Sequence, residues 1–118
     1  MSGADPFIEL RDRLRHFAAE RDWDQFHAPK NLAMALSVEV AELVEHFQWL
    51  TENESRHLAP QTLSKVRAEA ADVLIYLIRL ADKLDLDLAA AARDKIEQNA
   101  LKYPVEKARG SNRKYTEL

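Results

Sequence analysis

The feature that most restricts the fold is an unbroken apolar run inside a long segment with helical periodicity. The run is Val73-Leu74-Ile75-Tyr76-Leu77-Ile78, and it lies in a segment that we predict to be a helix from about Gln61 to Leu84. A helix that is apolar all round has to be enclosed on most of its sides. In a chain of 118 residues, we therefore expect this helix to be covered by other helices and also by partner subunits.

Three other segments show the same spacing of apolar residues and are predicted helices. They run from about Pro6 to Asp22, from about Pro29 to Leu50, and from about Leu88 to Tyr103, with a polar connector over residues 51–60. Pro104 should end the last helix, because the residue before a proline disfavours the α region. The chain has only two Gly and four Pro, which disfavours a turn-rich β fold. We predict an all-α, four-helix bundle-like subunit, with one domain over residues 1–104 and a polar tail over 105–118.

The charge and residue content exclude several classes of function. A net charge of −3 gives no general attraction to nucleic acid or to an anionic membrane. Because the chain has no Cys, disulfides, zinc fingers and thiol catalysis are excluded. The amino terminus lacks the pattern of a signal peptide, and no stretch has the apolar length of a membrane span. We therefore expect a soluble cytoplasmic protein.

Acidic residues stand in the apolar stripes of two predicted helices, where a plain bundle would carry aliphatic side chains. At about 100° per residue, Leu43 falls within about 60° of Glu39, and Glu42 lies at the edge of the same stripe. The apolar helix repeats this arrangement with Glu69 in the stripe and Asp72 at its edge. One acidic pair on a helix is usually a solvent-exposed surface feature. Two such pairs, both within apolar stripes, favour a metal-binding site.

Four carboxylates buried together are very costly if they stay ionised and unpaired. Either some of them are protonated or a cation holds them. Ligation by carboxylates alone suits Mg²⁺, with Mn²⁺ as an alternative, better than zinc or copper. Because such an ion keeps positions open for water and phosphate oxygens, we expect a polyphosphate substrate.

Polar and aromatic side chains elsewhere are candidates for holding a nucleotide. One face of the last predicted helix carries Lys95, Asn99, Lys102 and Tyr103, which can meet phosphate charge or hydrogen-bond a sugar. The aromatic candidates and the loop histidine are Trp23, Trp49, Tyr76 and His27. The two tryptophans lie at helix boundaries, where an aromatic ring can stack on a base or simply close the end of a bundle. An exposed polar stripe and ordinary core packing are the plainer explanations of the other residues.

Read in order, these residues resemble the MazG-like nucleotide pyrophosphohydrolases, and in particular the dCTP pyrophosphatase branch. The family's Glu-x-x-Glu and Glu-x-x-Asp motif reads here as Glu39-Val40-Ala41-Glu42 and Glu69-Ala70-Ala71-Asp72. Other similar stretches are residues 17–27, Phe47-Gln48-Trp49, residues 72–77, Asn99 with Lys102-Tyr103-Pro104, and residues 113–117. The resemblance departs at Leu14, where some animal members have a His in the first helix.

The resemblance implies an all-α nucleoside triphosphate pyrophosphohydrolase, with tetramers favoured over dimers and pockets near subunit interfaces. It implies that Mg²⁺ is bound by Glu39, Glu42, Glu69 and Asp72. It also implies that Trp23, Trp49 and Tyr76 shape the base and sugar pocket, and that Lys95, Asn99 and Tyr103 contact phosphate or sugar. As a mechanistic hypothesis, Glu42 or Glu45 orients or deprotonates a water that attacks the α-phosphorus. Glu39 contributes to catalysis as a ligand of the metal ion. The expected role is cleansing of the nucleotide pool.

Two other functions are compatible with a helical chain of this size. A di-iron carboxylate bundle typically needs two Glu-x-x-His motifs on inward helix faces, and the one such motif here, Glu54-Ser55-Arg56-His57, falls in the polar connector. A non-catalytic helical oligomer or a regulatory metal-binding bundle would explain the apolar helix equally well. The oligomer without a metal leaves the acids within the apolar stripes unexplained.

Overall fold

The computed structural model describes residues 5–118, and these form helices joined by short turns, with no strand among them. The α-helices are α1 (Pro6–Glu20), α2 (Pro29–Glu45), α3 (Glu52–Ser55), α4 (Pro60–Lys83), α5 (Leu88–Lys102) and α6 (Val105–Ala108). Two short 3₁₀ turns span Asp24–Phe26 and Tyr115–Glu117. The prediction of an all-α fold with four long helices is confirmed.

The sequence marks the beginnings of the long helices. The side chain of Asp5 accepts a hydrogen bond from the Phe7 N–H at 2.9 Å, and that of Asp87 accepts one from the Ala90 N–H at 3.0 Å. These bonds satisfy N–H groups that have no partner inside the first turn of a helix. A proline opens α1, α2 and α4, where its missing N–H is not needed.

Helix α1 ends in a tight turn that brings an aromatic side chain back against the helix. Asp22 has a φ of 55°, in the left-handed region, and the Trp23 N–H donates to the Ala18 carbonyl at 2.9 Å. This reversal sets the ring of Trp23 edge-on to that of Phe17, with ring centroids 5.7 Å apart. Helix α4 ends in the same way, with Asp85 at a φ of 55°.

Two helices end before their predicted last residues. Helix α2 ends at Glu45, not at Leu50, because the N–H groups of His46 and Phe47 turn to the carbonyls three residues back. Helix α1 likewise ends two residues earlier than predicted. The connector also contains α3, which opens with reciprocal hydrogen bonds between Thr51 and Glu54. The predicted polar tail contains α6 and a 3₁₀ turn.

Helix α4 is the element on which the site is built. It packs along α2 and against α1, and the fully buried apolar side chains are Ala18, Leu32, Ile78 and Ala81. The described residues divide into two compact units, and the boundary along the chain falls between Leu86 and Asp87. The first contains α1–α4, and the second contains α5, α6 and the carboxyl terminus. One domain over residues 1–104 with a tail over 105–118 stays a prediction.

The helices can be compared with the requirements of a membrane-spanning helix. Within residues 5–118, none of the helices combines the length with the apolar character that crossing a bilayer requires.

Candidate functional site

Three of the four predicted metal ligands meet where α2 packs on α4. Glu39, Glu69 and Asp72 each offer one carboxylate oxygen, and these three oxygens lie within 4.8 Å of one another. Glu39 and Glu69 are half-buried, whereas Asp72 is exposed. The arrangement matches the helical-wheel prediction, in which Glu39 and Glu69 are central to their stripes and Asp72 stands at an edge.

The second oxygens of the two half-buried glutamates are left without partners. Glu39 Oε2 and Glu69 Oε2 are both inaccessible to water and accept no hydrogen bond from any residue that the structure describes. Burial, followed by the neighbouring Glu42, raises the pKa of Glu39 to about 7, and the same two causes raise the pKa of Glu69. The negative charges of these two glutamates are therefore unfavourable in the protein alone. A bound hard cation would offset them. The donor set is all oxygen, as Mg²⁺ and Mn²⁺ require.

The remaining acids of the predicted site differ in position. Glu42 is half-buried and within hydrogen-bonding reach of both Glu39 and Glu69, although it is not one of the three that share the 4.8 Å cluster. Glu45 is exposed at the last position of α2. His46 follows it, and its Nε2 lies 3.9 Å from Glu69 Oε1. Of the two candidates for activating a water, Glu42 is therefore the nearer to the cluster.

A cavity of about 330 Å³ adjoins the acidic cluster in the first unit. Its lining is mostly apolar and aromatic, and is formed by Leu14, Phe17, Ala18, Trp23, His27, Asp72, Ile75, Tyr76 and Arg79. Asp72 belongs both to the acidic cluster and to the wall of this cavity. A cluster of carboxylates that could hold a metal ion and an aromatic-lined cavity therefore share one side chain.

The structure brings some of the predicted substrate-binding residues together in this cavity and leaves another apart. Trp23, His27 and Tyr76 all line it. Trp49 is 87% exposed and, within the described part of the chain, is not among the lining residues. Its contact with a base stays a prediction.

Four further candidates lie in the second unit. Lys95, Asn99 and Lys102 are exposed on α5, and Tyr103 is half-buried at its carboxyl-terminal cap. The Tyr103 ring meets that of Tyr115 edge-on with centroids 6.0 Å apart. The ammonium of Lys102 lies 5.0 Å from the centroid of the same Tyr115 ring. Their contacts with phosphate or sugar stay predictions.

Sequence reasoning missed Leu14, Phe17 and Arg79 as parts of the cavity wall. Arg79 is only 3% exposed, an unusual burial for an arginine. The signal was present, because Arg79 follows Asp72 by seven residues and so falls within about 20° of it on the helical wheel. Phe17 is 44% exposed, although it falls in the apolar spacing of the first predicted helix.

Comparison with known proteins identifies the family of this chain. The model of the MazG-like family matches residues 34–118. The chain is 47% identical over 117 residues to dCTP pyrophosphatase 1 of Homo sapiens, which takes in 97% of this chain and 69% of that protein. It is 46% identical to the Mus musculus protein of the same name, with the same shares covered. The fold is similar to the crystal structure of a pyrophosphatase from Archaeoglobus fulgidus DSM 4304, with a TM-score of 0.81 and 41% identity over 88% of this chain and 97% of that one. The chain belongs to the MazG-like family.

Proposed function

We propose that this protein hydrolyses dCTP, or a dCTP modified on its base, to the monophosphate and pyrophosphate, in a reaction that depends on Mg²⁺. The observation that carries the proposal is the sharing of Asp72 between a cluster of carboxylates and an aromatic cavity. The carboxylates would hold the metal ion that a triphosphate requires, and the aromatic cavity would hold the base. The role that follows is cleansing of the nucleotide pool in the cytoplasm.

The class of enzyme rests on the relatives. Those that span most of the chain are named dCTP pyrophosphatase 1, and the structural neighbour is named a pyrophosphatase. The prediction of a nucleoside triphosphate pyrophosphohydrolase is thereby confirmed. The base and the metal ion belong to the proposal.

In this proposal, Glu39, Glu69 and Asp72 hold the metal ion, and Glu42 completes the set. The two orphaned oxygens, Glu39 Oε2 and Glu69 Oε2, support this assignment because they are the donor atoms that lack any other partner among the described residues. A bound Mg²⁺ supplies neutralisation of phosphate charge and orientation of the triphosphate. Mn²⁺ is the alternative with the same preference for oxygen ligands.

The chain's own part in the reaction is to position and activate water. Glu42 neighbours both Glu39 and Glu69, and in this proposal it orients a water molecule and accepts its proton, with Glu45 as the alternative. The water oxygen forms a new bond to the α-phosphorus as the bond from that phosphorus to its bridging oxygen breaks. One oxygen from water therefore ends on the monophosphate, and pyrophosphate leaves with the bridging oxygen.

The nucleoside end of the substrate fits the cavity. Trp23 and Tyr76 line the cavity with aromatic rings on which a base can stack, and its volume of about 330 Å³ suits one base with part of its sugar. We assign Lys95, Lys102, Asn99 and Tyr103 to phosphate and sugar, with Trp49 closing over the base. These residues need not come from the same copy of the chain.

We also propose that the chain assembles with copies of itself, as a tetramer. The outward face of α2 carries Met34, Val38 and Val44, whose exposed fractions are 59%, 55% and 49%. So continuous an apolar face on one helix is typical of a surface that another subunit covers. Sedimentation equilibrium over a range of concentrations tests this, and a monomer at every concentration would contradict it.

A pyrophosphate-release panel is the direct test of the activity. It should include the four common dNTPs, 5-methyl-dCTP, dUTP and an oxidised purine nucleotide, each with Mg²⁺, with Mn²⁺ and with EDTA. We expect the highest kcat/KM for dCTP or 5-methyl-dCTP, and no release in EDTA. Release from none of these nucleotides in Mg²⁺ or Mn²⁺ would refute the proposed function.

Two further measurements test the chemistry. In water enriched in ¹⁸O, the label should appear in the monophosphate, whereas label in pyrophosphate would mean attack at the β-phosphorus. Glu42→Gln should lower kcat by about 10²-fold or more, the range of general-base catalysis. Glu45→Gln is its matched comparison on the same helix, and a larger loss in Glu45→Gln would transfer the role to Glu45.

A further inference from the structure

A cluster of charged groups adjoins the cavity through a residue that lines it. At its centre is the buried Arg79. Its Nη2 donates to Asp24 Oδ1 at 2.9 Å, and its Nη1 lies 3.5 Å from Asp82 Oδ2. Lys83 also donates to Asp24, and Arg15 donates to Asp82. The guanidinium is therefore fixed by contacts with two carboxylates.

The same guanidinium contacts a residue that lines the cavity. Arg79 Nε lies 3.2 Å from His27 Nδ1, and Arg79 Nη2 lies 3.0 Å from the same nitrogen. A guanidinium has donors only, so Nδ1 can take part in these contacts only as an acceptor. It then carries no proton, and in the neutral ring the proton sits on Nε2.

Charge and burial act in the same direction. Burial, and next the charge of Arg79, lower the pKa of His27, while Asp24 opposes this and Lys83 adds to it. His27 is therefore a neutral imidazole at physiological pH. The nitrogen left to meet a ligand is Nε2, which is a donor.

We propose that Arg79 is a positioning residue that holds His27 as a hydrogen-bond donor, and that the donated proton distinguishes bases by whether they carry an acceptor at the one position of the base edge that it meets. The proposal rests on the proposed function, in which the base occupies this cavity. His27 and Arg79 line it together with apolar and aromatic side chains, among which a fixed donor discriminates strongly. Cytosine offers two such acceptors, the ring nitrogen N3 and the carbonyl oxygen O2.

The first experiment reads the proton without any substrate. The full chain is labelled with ¹⁵N in its four histidines, and the His27 resonances are assigned by their loss in His27→Gln. We expect the chemical shifts of a neutral ring with the proton on Nε2. In Arg79→Met, which keeps the length of the side chain without its donors, we expect a mixture of tautomers. Arg15→Met removes another arginine of the cluster that does not touch His27, and it should leave the wild-type pattern. A protonated Nδ1 in the wild-type protein would overturn the proposal.

The second experiment measures base selection with dCTP, 3-deaza-dCTP and 2-thio-dCTP, which lack N3 or weaken the acceptor at position 2. We expect one analogue to lose about tenfold in kcat/KM, the effect of one hydrogen bond, and mainly through KM. In His27→Leu and Arg79→Met, the analogue should have about the same kcat/KM as dCTP. In His27→Gln, whose amide nitrogen stands in for Nε2, discrimination should survive.

The results separate this inference from the function on which it rests. If the wild-type enzyme hydrolyses dCTP but neither analogue loses activity, or if folded Arg79→Met discriminates as well as wild type, the inference is wrong and the function stands. If no triphosphate is hydrolysed, the proposed function fails and the proposed base selection fails with it. If Arg79→Met does not fold, the inference is tested by the tautomer of His27 in the wild-type protein and by the discrimination of the His27→Leu and His27→Gln variants.

Discussion

Replacing Glu39 by Gln should stabilise the protein in the absence of metal, although it removes a proposed metal ligand. The substitution keeps the shape of the side chain and removes its charge from a cluster whose oxygens lie within 4.8 Å of one another. At that distance, two like charges repel by at least about 0.9 kcal/mol in water. The repulsions with Glu69 and Asp72 together come to about 2 kcal/mol, and the repulsion with Glu42 disappears as well, so the free energy of unfolding should rise by at least about 2 kcal/mol at low ionic strength. For a chain of this size this corresponds to a Tm higher by about 8 °C.

The gain should depend on pH with a defined sign. The pKa of Glu39 is raised from 4.5 to about 7 in the folded protein, so the folded state prefers the protonated form. The wild-type protein therefore loses stability as the pH rises from 4.5 to 7, and the loss is complete above 7. Gln mimics the protonated side chain and shows no such loss. The difference in Tm should be small at pH 5 and full at pH 8.

The assay is thermal unfolding in EDTA at both pH values, at one protein concentration, followed by titration with Mg²⁺. Wild type should gain about 2.7 kcal/mol when Mg²⁺ reaches about one hundred times its Kd, and Glu39→Gln should gain much less. Glu45→Gln is the control, because it removes one exposed charge from the same helix outside the cluster. A Glu39→Gln protein that is less stable than wild type in EDTA at pH 8, or equally responsive to Mg²⁺, would refute the reasoning.

Three more substitutions test the fold and the cavity. Leu32 is 1% exposed, so Leu32→Ala should lower the free energy of unfolding in urea by about 2–5 kcal/mol, and a change below about 1 kcal/mol would contradict its place in the core. Trp23→Ala removes a wall of the cavity and should raise KM for dCTP by about tenfold, with a smaller effect on kcat, and an unchanged KM would mean that the base binds elsewhere. Trp49 is 87% exposed, so Trp49→Ala should leave the urea midpoint unchanged while it raises KM, and a lowered midpoint would mean that the ring has a structural role.

The acidic cluster was predictable because it depends on the rotation of residues around a helix. Glu39, Glu69 and Asp72 lie in or beside apolar stripes, and a stripe of an amphipathic helix turns toward its neighbour. Once α2 and α4 pack together, their acids have to meet. The end of α2 was less predictable, because a change from bonds four residues back to bonds three residues back leaves no mark on the apolar spacing.

The cavity depends on features that periodicity does not record. Trp23 reaches its place because Asp22 adopts a left-handed conformation, which asparagine and aspartate tolerate but do not signal by spacing. Arg79 reaches its place because Asp24 and Asp82 compensate its charge, and Asp24 belongs to a turn distant in sequence. Pairings between a helix and a distant turn are set by the fold as a whole.

One helix links the two halves of the proposed site. Asp72 and Arg79 are seven residues apart on α4, a rise of about 10.5 Å, and Tyr76 lies between them on the same face. The separation of the proposed metal ligand Asp72 from Arg79, which lines the cavity, is therefore fixed by the backbone of a continuous helix and not by a loop. For this reason, substitutions at His27 or Arg79 should change which base is accepted without displacing the carboxylates, whereas substitutions at Glu39 should act on every triphosphate alike. In the proposed site, selection of the base and cleavage of the triphosphate are thus separable, although Asp72 adjoins both the carboxylate cluster and the cavity.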